Sequence, residues 1–154
     1  MCCELQEFLD SREARLIGTP ISGRQCMAVR IVRLGSERAP NEGPRIGTVR
    51  RPPRGVPKSR FSSDNWYDVW LPNLAPTTET VAIGLRARTD KEWATFVKKY
   101  RTEMKSPDNS RVLDLLAALS QSTQFSVGCY CEGESRCHRS VLRELLLERG
   151  AKVT

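Results

Sequence analysis

Histidine is the scarcest chemically useful side chain in this sequence: one residue, His138, among 154. Any imidazole acid–base step must therefore run through that position. Long apolar runs are also missing. No stretch approaches the ~18 apolar residues that a membrane-spanning helix needs, so no such helix and no membrane partner are expected. The opening residues Met1-Cys-Cys-Glu-Leu-Gln-Glu-Phe-Leu-Asp10 are acidic and lack the apolar core of a secretory signal, so a cytoplasmic setting is expected. No internal repeat is visible. Disorder is not indicated either, because apolar residues make up 39% of the chain and charged ones 28%, ordinary for a globular domain.

What is present is unevenly placed. Residues 27–60 hold Arg30, Arg33, Arg38, Arg45, Arg50, Arg51, Arg54, Lys58 and Arg60 against only Glu37 and Glu42, and so carry the whole net charge of +7. A basic stretch of this kind can meet phosphate, nucleic acid or an acidic partner. The plainer reading is a solvated arginine-rich loop that keeps the protein soluble. The six cysteines fall in two groups: Cys2, Cys3 and Cys26 near the start, and Cys129, Cys131 and Cys137 near the end. A domain this long does not need disulfides, and without a signal segment reduced thiols are expected.

Residues 1–26 read as an N-terminal extension: Leu5, Phe8 and Leu9 suit one amphipathic turn, which Gly18, Pro20 and Gly23 then break. The domain proper is expected over 27–154. Ala28–Leu34 and Arg45–Arg50 read as strands, separated by a loop rich in Gly, Ser, Pro and Asn. Arg51-Pro-Pro-Arg-Gly-Val-Pro-Lys58 cannot be helix or central strand, because its prolines remove donors and fix φ. It reads as a stiff, exposed basic loop. A short extended piece around Tyr67, Val69 and Leu71 precedes Pro72.

Thr89-Asp-Lys-Glu92 is a capping box, opening a helix with Trp93, Phe96, Val97, Tyr100 and Met104 on one face. A second helix begins at Ser106-Pro107 with Val112, Leu113, Leu116 and Leu119 as its buried stripe. Phe125–Cys131 alternates as a strand with Phe125, Val127, Cys129 and Cys131 on one face. A turn at Glu132–Ser135 leads to a final helix over 136–149, with Ser135 as its N-cap and Gly150 as its stop. The fold class is α/β: one compact domain, a small mixed or parallel sheet flanked by helices, and a C-terminal strand–loop–helix that carries the site.

That last unit is where α/β sheets place ligands, and its helix N-terminus attracts anions. Cys131 or Cys137, beside Arg136 and Arg139 and at a helix start, suits a reactive thiolate. His138 would handle protons, and Glu132 would orient it or act as a second proton carrier. Against this stands inert packing of small apolar sulfurs, above all for Cys129. Cys129, Cys131, Cys137 and His138 have the residue types of a zinc site, but their spacing does not match the usual knuckle, so metal and other cofactors are expected to be absent. A phosphatase-like Cys-x5-Arg loop fails on counting, since the sixth position after Cys131 is Cys137. Arg50, Arg51 and Arg54, with Arg136 and Arg139, would bind the anion, the first three on the same edge as Cys131 if the sheet is parallel. Trp66 and Trp70 are candidates to stack a base, with core or rim packing as the plainer alternative.

Several segments together resemble a known family. They are Arg30-Ile-Val-Arg-Leu-Gly-Ser36, Arg51-Pro-Pro-Arg-Gly-Val-Pro57, Asp68-Val-Trp-Leu-Pro72, Leu74-Ala-Pro76, Glu92-Trp93 with Phe96 and Tyr100, and Cys131-Glu132 with Cys137-His-Arg139. In this order they are similar to the bacterial family called domain of unknown function 488, over about residues 27–150. The resemblance implies a compact α/β fold in small cytosolic bacterial proteins, and no established reaction. The expectation from the residues is an enzyme acting on a small anionic substrate, phosphate- or nucleotide-bearing, through Cys131, Glu132, Cys137 and His138. The rival is a non-catalytic nucleotide- or nucleic-acid-binding module in which the arginines do the work.

Overall fold

The computed structural model describes residues 27–154. The expected N-terminal extension, with its turn at Leu5, Phe8 and Leu9, lies outside the described residues. Four strands form one all-parallel sheet: β1 (Val29–Arg33), β2 (Arg45–Gly47), β3 (Val69–Trp70) and β4 (Phe125–Cys129), ordered β1-β4-β2-β3. Four α-helices follow or intervene: α1 (Thr78–Arg86), α2 (Asp90–Glu103), α3 (Pro107–Leu119) and α4 (His138–Leu147). Among the described residues no helix is long and apolar enough to cross a membrane.

The central strand β4 is the last to be made. Ile31 of β1 and Ile46 of β2 both sit opposite its Val127. All five β4 residues are buried, so the apolar–polar alternation of Phe125–Cys129 does not mark an inside and an outside. Both faces are covered, and the strand stops at Cys129, leaving Cys131 in the turn rather than on the strand face expected for it. On one face, Phe125 and Val127 pack with Phe96 and Tyr100 of α2, Leu113 and Leu116 of α3, and Val141, Leu142, Leu145 and Leu146 of α4.

Ser126 alternates to the other face. That face is closed by irregular chain built round a buried ion pair. Ser126 Oγ donates to Glu42 Oε1 at 2.7 Å, and Arg45 donates to Glu42 through Nε at 2.7 Å and Nη2 at 2.9 Å. Arg45 Nη1 also reaches the carbonyls of Ser36 at 2.8 Å and Asn65 at 2.7 Å. One guanidinium thus pins two loops to the start of β2.

The helix signals act as expected at two termini. Thr89 and Glu92 make the reciprocal capping box of α2, and Ser106 caps α3 with Pro107 in its first turn. At the end of α4, Gly150 takes φ 78°, and Ala151 N–H bonds to Leu146 O at 3.0 Å and Gly150 N–H to Leu147 O at 2.9 Å. This closure needs a residue at ease with positive φ. Other expectations are corrected. Helix α1 was not anticipated; its N-cap Thr77 accepts from Thr80 N–H, and Thr77 and Thr80 hydroxyls donate to Glu103 of α2. The buried stripe of α3 is Leu113, Leu116 and Ala117, while Leu119 is 39% exposed. The strand β2 ends at Gly47 rather than Arg50, although Thr48 N–H still bonds to Gly128 O at 2.9 Å.

Glu42→Ala should destabilise the fold by about 3–5 kcal/mol in urea unfolding, because it strands a buried guanidinium. Burial alone would raise the Glu42 pKa, but hydrogen bonds from Arg45, Ser126 and Ala39 outweigh it and hold the carboxyl below its usual value. Its contribution is therefore complete above the unfolded carboxyl pKa and is lost as pH falls through the lower folded value. A wild-type–mutant stability gap that does not shrink on acidification would contradict this account.

Candidate functional site

Parallel strands bring their carboxyl ends to one edge, and this is where open α/β sheets hold ligands. Here the ends are Arg33–Gly35 after β1, Thr48–Arg50 after β2 and Tyr130–Cys131 after β4. A cavity of about 1000 Å³ opens at that edge. Cys129, Cys131, Cys137 and His138 line it, together with Arg33, Arg50, Arg51, Arg54 and Arg136, and with Trp66, Trp93, Phe96 and Tyr130. The proline–arginine loop and the Cys131–Arg139 turn therefore share one cavity.

The sulfurs converge because α4 begins late. Cys137, not Ser135, is its N-cap, and Cys137 makes no side-chain cap bond. The turn 131–136 brings it back over the end of β4. The Sγ atoms of Cys129, Cys131 and Cys137 all lie within 4.8 Å of one another, with 3.8 Å between Cys129 and Cys131. They are the one cluster of Cys, His, Asp or Glu among the described residues that could hold a metal ion. All three are free thiols, Cys131 exposed and the other two buried.

His138 is the first residue of α4 and is buried. Its Nε2 lies 2.8 Å from Thr48 O, an atom that can only accept, so Nε2 carries the proton. Thr48 Oγ1 donates to Gly128 O at 3.0 Å and offers a lone pair to the same Nε2 at 3.3 Å. Nδ1 faces Cys137 Sγ at 3.8 Å. Tyr100 holds the ring from the side, edge-on at 5.7 Å between centroids. Thr48 and Tyr100 were not anticipated as site residues. Thr48 had a legible signal, its place at the carboxyl end of a strand.

Arg139 is the second buried support. It is only 3% exposed and donates through Nη2 to Cys131 O at 2.7 Å and more weakly to Glu132 O at 3.4 Å. Its Nε has no partner, and among the described residues no carboxylate pairs with it. A buried cation without a carboxylate needs negative charge nearby. The sulfurs meet that need. Contacts from Cys129 and Cys137, and then the Arg139 charge, hold the Cys131 thiol well below the usual thiol range against the cost of burial. Cys129 is pushed far upward by Cys131 and Cys137, while Cys137 is lowered, chiefly by Cys129 and also by His138.

The remaining candidates divide. Arg50, Arg51, Arg54, Arg136 and Trp66 line the cavity. Arg50 donates to Ala75 O at 2.6 Å and Pro76 O at 3.2 Å, whereas among the described residues Arg51 and Arg54 have no ion pair. Arg136 bonds Asp90 at 2.6 Å and lies over the Trp93 ring at 5.6 Å. Trp66 is set by Gly35, where φ is 84° and a Cβ would stand 2.8 Å from the indole. Glu132 and Trp70 are not part of the cavity lining. Glu132 is exposed and pairs with Arg33 at 3.5 Å, and Trp70 donates its Nε1–H to Val49 O at 2.8 Å. Trp70 therefore braces the edge strand, and the orienting role expected of Glu132 falls to Thr48.

Iodoacetamide should label Cys131 in the native protein well before Cys129 or Cys137, which are 8% and 2% exposed. Peptide mass spectrometry over a time course reads the order. Equal labelling of Cys137 would show that the buried pair is not packed as described.

No curated protein and no solved structure matches the chain. The family model described as "Active DUF488-N3 subclade" matches residues 29–150, nearly all of the sheet, the helices and the site. The chain belongs to the DUF488 family.

Proposed function

We propose that this chain is an enzyme that acts on a small anionic substrate, phosphate- or nucleotide-bearing, with Cys131 as its nucleophile. One observation carries the reading: the exposed Cys131 lines the cavity that Arg51 and Arg54 also line, and among the described residues these two arginines have no carboxylate partner. Free guanidinium groups suit phosphate, which they bind through paired N–H donors. Trp66, Trp93 and Tyr130 offer aromatic faces for a base or other flat group. A volume of about 1000 Å³ suits a small molecule rather than a duplex. In this reading Arg139 fixes the Cys131 backbone, and Cys137 with His138 carries protons to and from the buried side. The cytoplasmic setting expected from the sequence belongs to the same reading, because it keeps the three thiols reduced. The word "active" in the family description favours catalysis over mere binding.

The rival reading, a non-catalytic nucleotide-binding module, uses the same arginines and aromatic rings and leaves the sulfurs idle. Calorimetry with a panel of nucleoside phosphates, followed by product analysis, separates the two. Arg54→Ala should weaken binding by about 1.5 kcal/mol, roughly tenfold in Kd, and added salt should weaken it further. Cys131→Ser should leave Kd nearly unchanged and abolish turnover. Turnover that survives Cys131→Ser would refute the nucleophile, and an affinity indifferent to both salt and Arg54→Ala would refute the anion.

A further inference from the structure

The three-sulfur cluster has a property that a single nucleophile does not require. A lone reactive cysteine needs one cation or one base beside it. Here two further sulfurs, from the end of β4 and from the cap of α4, are brought within 4.8 Å of Cys131 and of each other. We propose that Cys129, Cys131 and Cys137 bind one thiophilic metal ion of the zinc or cadmium kind, with its fourth position open to the cavity.

The geometry argues for this directly. Zinc–thiolate bonds are about 2.3 Å long, which sets tetrahedral sulfur ligands about 3.8 Å apart. Cys129 and Cys131 Sγ are 3.8 Å apart before any ion is added. Three protein ligands with one open position is the arrangement of zinc sites that admit a further ligand, whereas structural sites are closed by four. Thiolates select soft ions over magnesium or calcium, so the chemical class of the ion follows from the ligands. The spacing that argued against a zinc knuckle in the sequence is overcome by the turn 131–136, which folds Cys137 back onto the strand end. His138 stays outside the ligand set, because neither ring nitrogen belongs to the group of ligand atoms that lie within 4.8 Å of one another.

The surroundings supply a second, independent argument. Three thiolates on a dication leave one net negative charge in a largely buried place, which is costly unless compensated. Arg139 is buried, has an Nε without a partner, pairs with no carboxylate among the described residues, and is bonded to the backbone of Cys131. It is a counter-charge fixed beside the ligands, as the outer shell of a metal site requires. Cys137 at the N-terminus of α4 also puts one thiolate at the positive end of a helix dipole.

The consequence for the proposed enzyme is exclusion. Cys131 Sγ cannot both hold the ion and attack a substrate, so metal occupancy masks the nucleophile until the ion is removed. Metal binding itself does not depend on the enzymatic reading.

Cadmium is the probe, because thiolate-to-cadmium charge transfer gives an ultraviolet absorption that counts sulfur ligands. The full chain is used with Cys2, Cys3 and Cys26 replaced by serine, so that the remaining sulfurs are these three. Titration should saturate at one ion per chain, with Kd of about 1 µM or tighter in competition with a chelator. Cys131→Ser, an exposed position that leaves the core intact, should weaken binding about a hundredfold and reduce the absorption. Bound cadmium should also protect Cys131 from iodoacetamide, and chelator should restore labelling. Absence of the absorption, or a one-to-one complex that Cys131→Ser leaves unchanged, would overturn the proposal. The two readings fail separately. A chain that binds cadmium through these sulfurs but turns over no substrate loses only the enzyme. A chain that turns over substrate but binds no cadmium loses only the metal site.

Discussion

The buried pair of Glu42 and Arg45 is the constraint on which the rest of the structure leans. A four-stranded parallel sheet needs both faces covered, and here the helices cover one. The other is closed by loops, whose backbone groups would otherwise be left without partners. Arg45 satisfies the Ser36 and Asn65 carbonyls while its charge is met by Glu42. These two loops are the ones that deliver Gly35 and Trp66 to the cavity wall. A structural ion pair at the amino end of β2 thus determines the shape of a site at its carboxyl end.

The site itself follows from strand polarity. Because β1, β2 and β4 run the same way, their carboxyl ends meet, and each contributes something different. The first brings Arg33 and the glycine that admits Trp66, the second brings Thr48 and the arginine loop, and the third brings two sulfurs. The helix after β4 then returns Cys137, His138 and Arg139 to the same place. Chemistry-bearing residues far apart in the chain are neighbours here through topology alone.

Much of this was legible in the sequence, and the failures have physical causes. The caps at Thr89 and Ser106 were readable because a side-chain cap is a local interaction between residues three apart. Helix α1 carries the same local cap, Thr77 accepting from Thr80 N–H, but it is short and holds Gly84, which weakens the helical pattern in the sequence. Ser135 is the better capping residue by type, yet Cys137 is the N-cap of α4, its sulfur buried against Leu34, Val49 and Cys129 in place of a cap bond. The family and the strand–loop–helix were visible in the residues. The approach of three sulfurs was not, since nothing in their spacing reports that the intervening turn doubles back. Glu132 was misplaced for a related reason: next to Cys131 in sequence, it points to solvent and Arg33 instead.

The place of β4 between β1 and β2 has a bearing on how the chain is born. Its two neighbours do not pair with each other, so β1, and the edge of β2 that β3 does not cover, wait for residues 125–129. During translation at about 5–20 residues per second, the gap from β2 to β4 lasts on the order of 4–15 s. Any strand that forms in that interval has an edge without its final partner. The polar positions in those first two strands, Arg30, Arg33 and Arg45, are then more than ligands or braces. Charge on an unpaired strand discourages edge-to-edge association with other chains. Arg33, which later lines the cavity, and Arg45, which later closes the buried ion pair, guard the unfinished sheet before either feature exists.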